Sequence, residues 1–79
     1  MEKDYIPEFT ALTVRTAENL RAELARRRYP QRQLARRLGV TPQWLGRRVN
    51  AQVSPNLDDL AQISEALGVS VTELLRESA

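Results

Sequence analysis

The chain contains no cysteine and no histidine. Their absence excludes disulfides, thiol nucleophiles and zinc sites built from these residues, and it removes the side chain that enzymes most often use as a general base. A chain of 79 residues fits one domain that buries only about 60–65% of the surface exposed on unfolding, so its core is thin. We therefore expect an interaction module, with no enzyme activity, no cofactor and no small-molecule ligand.

The sequence also lacks a long hydrophobic run. No apolar stretch approaches the roughly 18–20 residues that a membrane-spanning helix needs. The first residues, Met1 to Asp4, are mostly charged and no apolar segment follows them, which is unlike a secretory signal. Together with the absence of cysteine, this pattern predicts a cytoplasmic protein without a membrane partner.

Positive charge is almost entirely arginine, since Lys3 is the sole lysine, and it is concentrated in the middle of the chain. Residues 1–14 carry a net charge of −2, residues 15–48 carry ten arginines against two glutamates for a net +8, and residues 49–79 carry a net −4. A basic centre in a chain of net charge +2 indicates a polyanionic partner, and phosphate is the obvious one. A genome that favours arginine codons is the alternative explanation.

Apolar periodicity and helix-capping residues agree on five short helices, at about residues 13–27, 30–38, 42–49, 57–67 and 71–77. In the fourth helix the predicted apolar stripe consists of Leu57, Leu60, Ile63 and Leu67. No alternating pattern predicts a strand. We expect residues 1–12 to form an N-terminal arm or tail, and residues 13–77 to form a single helical domain.

The residues around Gly39 suit two helices that cross steeply at a short turn. Ala35 is small where the second helix must approach the third, and Gly39 tolerates the left-handed backbone that ends a helix. Val40 and Leu45 can fill the wedge between the two helices, and Thr41 is a suitable N-cap for the third. The spacing Ala-x3-Gly-x5-Leu therefore favours a helix-turn-helix.

Two longer motifs carry a family resemblance. Residues 31–41 read Gln-Arg-Gln-Leu-Ala-Arg-Arg-Leu-Gly-Val-Thr, with Asn50 behind them, and residues 68–75 read Gly-Val-Ser-Val-Thr-Glu-Leu-Leu. Over roughly residues 13–76 the chain resembles the lambda repressor and Cro family of helix-turn-helix domains, often called the XRE family. The resemblance implies a compact, all-α domain of five helices that binds double-stranded DNA, with the recognition helix, residues 42–50, in the major groove.

The resemblance also implies which residues contact DNA. The predicted base contacts are Thr41, Pro42, Gln43, Gly46 and Arg47, and the predicted phosphate contacts are Gln31, Arg32, Arg36, Trp44, Arg48 and Asn50. Gln43 can form two hydrogen bonds with adenine, and Arg47 can do the same with guanine. Pro42 cannot donate a backbone hydrogen bond, so helix initiation and van der Waals contact are its expected roles. The arginines at 26–28 are interpreted as a solvated helix end.

Three positions depart from the family pattern. Arg48 stands where an aliphatic core residue is usual, and we expect Val49 to take over the apolar role through a slight rotation at the helix end. Ala51 stands where glycine often follows the asparagine, so the exit turn is expected to differ. Trp44 is the sole tryptophan, and packing on the fourth helix is favoured over a phosphate contact through its indole N–H.

These features predict a sequence-specific transcription regulator, in particular a Cro-like repressor of a phage or mobile element that occupies its operator and blocks polymerase. The alternatives on the same fold are an antitoxin-like autoregulator, a recombination directionality factor and a protein–protein interaction module. The basic middle of the chain argues against the last of these. A weak homodimer formed on the operator and a monomer on a single half-site both remain open.

Overall fold

The computed structural model describes residues 10–77 of the chain. Across this range the chain forms the expected five α-helices and no β-strand: α1 (Ala11–Arg26), α2 (Gln31–Leu38), α3 (Pro42–Val49), α4 (Leu57–Leu67) and α5 (Val71–Leu75). None of these helices combines the length and the apolar content that crossing a membrane requires. Most of the predicted N-terminal arm, residues 1–9, lies outside the described residues.

The first helix begins two residues before its predicted start at Thr13. The hydroxyl oxygen of Thr10 accepts a hydrogen bond from the backbone N–H of Thr13 at 3.1 Å, which makes Thr10 the N-cap. Ala11 and Leu12, which were expected in the arm, therefore belong to the first turn of α1. The helix start is thus determined by the polar cap Thr10, which a prediction based on the spacing of apolar residues does not take into account.

The last helix ends at Leu75, two residues earlier than predicted, and a side chain of α1 binds carbonyl groups on either side of this end. The side-chain amide of Asn19 donates to the carbonyls of Leu74 and Arg76, each at 2.8 Å. Arg76 is extended, with ψ at 153°. The tertiary contact with Asn19 thus replaces another turn of helix.

All five helices contribute to one small core. Its buried apolar residues are Leu20, Leu24, Leu34, Ala35, Leu45, Val49, Leu60, Ile63, Leu67 and Leu74. The expectation that Leu57 joins the stripe of α4 is wrong, since Leu57 is 81% exposed. At 100° per residue Leu57 lies about 90° from the centre of the stripe formed by the other three residues, so it points away from the core.

The packing of the helices places α3 at the surface of the domain, on one side of the core. Helix α2 packs on α3, α1 contacts both α3 and α5, and α4 bridges α2 and α5. One side of α3 is therefore held by two helices, and its remaining surface faces outward. This arrangement positions the outward-facing residues of α3.

Candidate nucleic-acid interface

The turn between α2 and α3 has the geometry that the sequence predicts. Gly39 adopts a left-handed conformation (φ 74°, ψ 30°), and the backbone N–H of Val40 donates to the carbonyl of Ala35 at 3.0 Å. The hydroxyl of Thr41 then accepts a hydrogen bond from the backbone N–H of Trp44 at 3.0 Å and caps α3. The turn thus fixes both the start and the direction of α3.

Helix α3 is anchored in the core on one side and open on the other. Leu45 and Val49 are fully buried, so Val49 does take the apolar role that the family pattern usually gives to the preceding position. The predicted base-contact residues form one outer surface: Thr41, Pro42, Gln43 and Arg47 are exposed, and Gly46 is half-buried. The four that lie within α3 span an arc of about 140° around its axis.

Gly46 lies inside this arc, and the fold does not require a glycine there. A Cβ added at Gly46 would meet no atom within 4 Å, apart from its own helix backbone and chain neighbours. A side chain at this position would therefore extend outward, between Pro42 and Gln43 around the helix axis. Its absence leaves the helix backbone accessible to a partner that approaches the arc.

The first turn of α2 differs from every other helix start in the part of the chain that the structure describes. The other four helices are capped by the side chains of Thr10, Thr41, Asn56 and Ser70, whereas the N-cap of α2 is Pro30, which has no side-chain acceptor. The Pro30 carbonyl accepts the backbone N–H groups of Gln33 and Leu34. The backbone N–H groups of Gln31 and Arg32 form no hydrogen bond with another described residue, as is usual for the first two positions of a helix, and such groups attract anions.

Two of the predicted phosphate contacts on α2 are adjacent to the start of α3. Arg32 and Arg36 are exposed, and together with Val40 and Pro42 they border a cleft of about 280 Å³. Their guanidinium groups therefore flank the surface on which the predicted base contacts lie. Arg32 and Arg36, which belong to the basic middle of the chain, therefore form a basic surface beside α3.

Two other predicted phosphate contacts, Trp44 and Arg48, interact with each other. The guanidinium carbon of Arg48 lies 3.8 Å from the centroid of the Trp44 ring. The Nε of Arg48 donates to Oδ2 of Asp59 in α4 at 3.2 Å, and its Nη1 donates to the Trp44 carbonyl at 3.0 Å. Both residues are half-buried. The side chain of Arg48 thus makes its polar contacts within the protein.

Helix α3 ends at Asn50 in an irregular turn. The side-chain amide of Asn50 donates to the carbonyl of Gly46 at 3.0 Å while the residue itself stays exposed. Ala51 has a φ of 60°, the left-handed region that favours glycine, and the backbone N–H of Gln52 returns to the carbonyl of Arg47 at 2.7 Å. Ala51 thus adopts a backbone conformation suited to glycine, and the expected difference in the exit turn stays a prediction.

One contact to the interface comes from a residue that the sequence reading did not single out. The Nη1 of Arg21 in α1 donates to the carbonyl of Val49 at 2.6 Å. It thereby adds a cation to the C-terminal end of α3, where the helix dipole favours positive charge. The two residues are 28 positions apart in the sequence, so no local pattern could have revealed the contact.

The arginines at the end of α1 are largely engaged with a buried acid. Both Arg26 and Arg27 form salt bridges to the carboxylate of Glu23, which is only 2% exposed. Burial raises the pKa of Glu23, but the hydrogen bond and charge of Arg27 and those of Arg26 outweigh it, so the pKa lies below its ordinary value. Two of the three arginines at 26–28 thus neutralise an internal charge.

The sequence matches a known family, and the fold matches solved structures of other proteins. A helix-turn-helix family model matches residues 20–74. The crystal structure of the clp gene regulator ClgR from C. glutamicum is 27% identical, covers 84% of this chain and 86% of its own, and has a TM-score of 0.78. A hypothetical transcription factor, NHTF from Neisseria, is 22% identical over 96% of this chain and 87% of its own, also with a TM-score of 0.78. A comparison with curated proteins gives no match.

Proposed function

The chain belongs to the lambda repressor/Cro type of the helix-turn-helix family, and we propose that it regulates transcription by reading operator DNA with α3. The observation that carries the proposal is the outward-facing arc of Gln43, Gly46 and Arg47 beside two arginines of α2. An α-helix fits the major groove, where each base pair presents a distinct pattern of donors and acceptors. The similarity to a clp gene regulator supports a role in gene control.

In this proposal the residues of α3 divide the work of base recognition. Gln43 pairs with an adenine, and Arg47 pairs with a guanine, each through two hydrogen bonds. Gly46 allows the helix backbone to approach the base edges closely. Thr41 and Pro42 contact bases at the start of the helix through van der Waals interactions.

Phosphate contacts set the position of α3 in the groove. The free N–H groups at the start of α2 and the side chain of Gln31 bind one phosphate, and Arg32 and Arg36 neutralise its neighbours. Asn50 contacts a phosphate beyond the end of α3. Gln31 and Asn50 are neutral, whereas Arg32 and Arg36 are cationic. We therefore expect only the two arginines to make the affinity depend on salt concentration.

The finer proposal is a Cro-like repressor of a phage or mobile element. Such a repressor needs no chemistry at the site, because a protein that occupies the operator excludes polymerase from the same DNA. An antitoxin-like autoregulator or a recombination directionality factor would use the same surface. A reporter gene placed behind the selected operator separates a repressor from a recombination directionality factor, since a repressor lowers expression in the absence of a recombination substrate.

The test of the proposal is selection from a random duplex pool at about physiological salt, followed by sequencing of the retained DNA. Two inverted half-sites about one helical turn apart would indicate a dimer on the operator. A single motif would indicate a monomeric reader. Absence of any enriched sequence would contradict the proposal and favour a protein–protein interaction module.

Salt titration on the selected operator then separates the two kinds of phosphate contact. The logarithm of affinity falls with the logarithm of salt concentration by about 0.9 for each phosphate that a cation neutralises. Arg32→Ala should therefore reduce this slope by about one, whereas Gln31→Ala should weaken binding without changing it. A salt-independent affinity of the unmodified chain would contradict groove binding.

A further inference from the structure

The contacts of Arg48 differ from those of every other arginine near the interface. Its guanidinium group lies over the Trp44 ring, donates to the Trp44 carbonyl and binds the carboxylate of Asp59. The side chains of Arg48 and Asp59 are each 15% exposed. Arg47 and Arg36, in contrast, are exposed and form no salt bridge with another described residue.

The acid that receives Arg48 is itself fixed. Oδ2 of Asp59 also accepts the backbone N–H of Asn56 at 3.1 Å, and the side-chain oxygen of Asn56 accepts the N–H of Asp59 at 2.7 Å. This reciprocal pair is the capping box of α4. The anchor point of Arg48 is therefore part of the rigid start of a helix, and not a mobile surface side chain.

From these contacts we infer that Arg48 is a positioning residue, which holds the recognition helix at a fixed angle to α4 instead of contributing a phosphate contact. A half-buried guanidinium that pairs with a carboxylate contributes little net charge to an approaching polyanion. The bond to Asp59 joins the last turn of α3 to the first turn of α4, and the stack on Trp44 holds the Arg48 side chain against α3. This inference rests on the proposed function for its effect on DNA, but the contacts themselves can be measured without DNA.

Asp59→Asn distinguishes positioning from a phosphate contact, because the two roles predict opposite results. If Arg48 bound phosphate, removal of the Asp59 charge would free the arginine and raise affinity for all DNA. If Arg48 positions α3, the same change should lower affinity for the selected operator, on the order of tenfold, and leave non-specific binding and the salt slope nearly unchanged. The asparagine oxygen still accepts the N–H of Asn56, so the capping box is preserved.

The matched control is Asp58→Asn. Asp58 is exposed, lies in the same first turn of α4 and forms no salt bridge with another described residue. Asp58→Asn removes the same charge as Asp59→Asn at the neighbouring position, so the long-range electrostatic effect of the two variants on DNA binding should be similar. Only the Asp59 variant should lose operator affinity.

Arg48→Met completes the cycle, since methionine keeps an apolar contact with the Trp44 ring but has no charge. The inference predicts that Arg48→Met lowers operator affinity at least as much as Asp59→Asn, which removes only the charge of the link, and that the double variant loses no more than Arg48→Met alone, because both changes act on the same link. A salt slope reduced by about one in Arg48→Met would overturn it. Unchanged or increased operator affinity in Asp59→Asn would also overturn it.

A DNA-free readout separates failure of this inference from failure of the proposed function. Trp44 is the sole tryptophan, so the fluorescence of the chain reports on the contact with Arg48. Arg48→Met and Asp59→Asn should both shift Trp44 emission relative to the Asp58→Asn control, with circular dichroism verifying that each variant is folded. Emission of Asp59→Asn that equals the control would overturn the link even if no operator were found.

Discussion

The chain contains the same turn twice, and only one copy borders the proposed DNA surface. Gly39 and Gly68 have nearly identical backbone angles (φ 74°, ψ 30° and φ 75°, ψ 28°). After each, the backbone N–H of a valine, Val40 or Val69, donates to the carbonyl five residues back at 3.0 Å. The backbone geometry that makes a helix-turn-helix is therefore also used between α4 and α5.

The correspondence continues into the following helices. Thr41 and Ser70 cap them, and four residues beyond each cap comes a fully buried leucine, Leu45 or Leu74. What differs is charge, since the chain carries a net +8 over residues 15–48 and −4 afterwards. The comparison teaches that the turn specifies how two helices cross, whereas the exposed side chains around it specify what the surface can bind.

The largest expected effect tests whether the two turns support one core equally. Leu45→Ala and Leu74→Ala should each lower the free energy of unfolding by about 2–5 kcal/mol, because both leave a cavity at a fully buried site. Urea denaturation followed by circular dichroism measures the loss. Leu57→Ala, at an 81% exposed position, is the control and should change stability by less than about 0.5 kcal/mol. A small effect of Leu74→Ala alone would show that the second turn is peripheral to the core.

The next largest effect tests whether only the helix after the first turn contributes to operator binding. Arg47→Ala should cost about 1–3 kcal/mol of binding free energy on the selected operator and relax preference at one base position. Arg76→Ala removes the same charge at the end of α5, the helix that follows the second turn, and should leave operator affinity nearly unchanged. Fluorescence anisotropy with the operator and with single-base variants gives both values. Equal losses on all sequences would contradict the assignment of Arg47 as a base reader.

Most of the fold could be predicted from the sequence because its signals are local. Gly39, Thr41 and Gly68 mark helix ends through their own backbone and side-chain preferences, and the structure places helix boundaries at these residues. The error at Leu57 lay in the interpretation of the periodicity, because the helical angle already places Leu57 about 90° from the centre of the stripe formed by Leu60, Ile63 and Leu67.

The contacts that orient the site could not be predicted, because they join residues far apart in the chain. Arg48 and Asp59 are 11 positions apart, and each alone reads as an ordinary exposed charge. The family pattern marks Arg48 only as a departure, with no indication of its partner. The exposed side of α3 was therefore predictable from the sequence. The contacts that hold α3 against α4 and α1, Arg48 with Asp59 and Arg21 with Val49, were not.

A smaller effect tests whether the two glycines act only through the backbone. A Cβ at Gly39 or Gly68 would meet no atom within 4 Å, so Gly→Ala at either position should cost only the left-handed strain of an L-residue, about 1 kcal/mol. Thermal unfolding should give the same loss for both variants. A clearly larger loss at Gly39 would indicate that the first turn tolerates less adjustment than the second.

The smallest expected effect has the opposite sign and uses the left-handed residue that ends α3. Ala51 has a φ of 60° where the two turns use glycine, so Ala51→Gly should remove strain and raise the free energy of unfolding by up to about 1 kcal/mol. Arg28→Gly, at a φ of 52°, is a second site where the same gain is expected away from α3. Differential scanning calorimetry would detect both. If only Arg28→Gly stabilised the protein, the strain at Ala51 would already be relieved by the hydrogen bonds that Arg47 accepts from the exit turn, and backbone preference alone would not explain the difference between this exit and the two glycine turns.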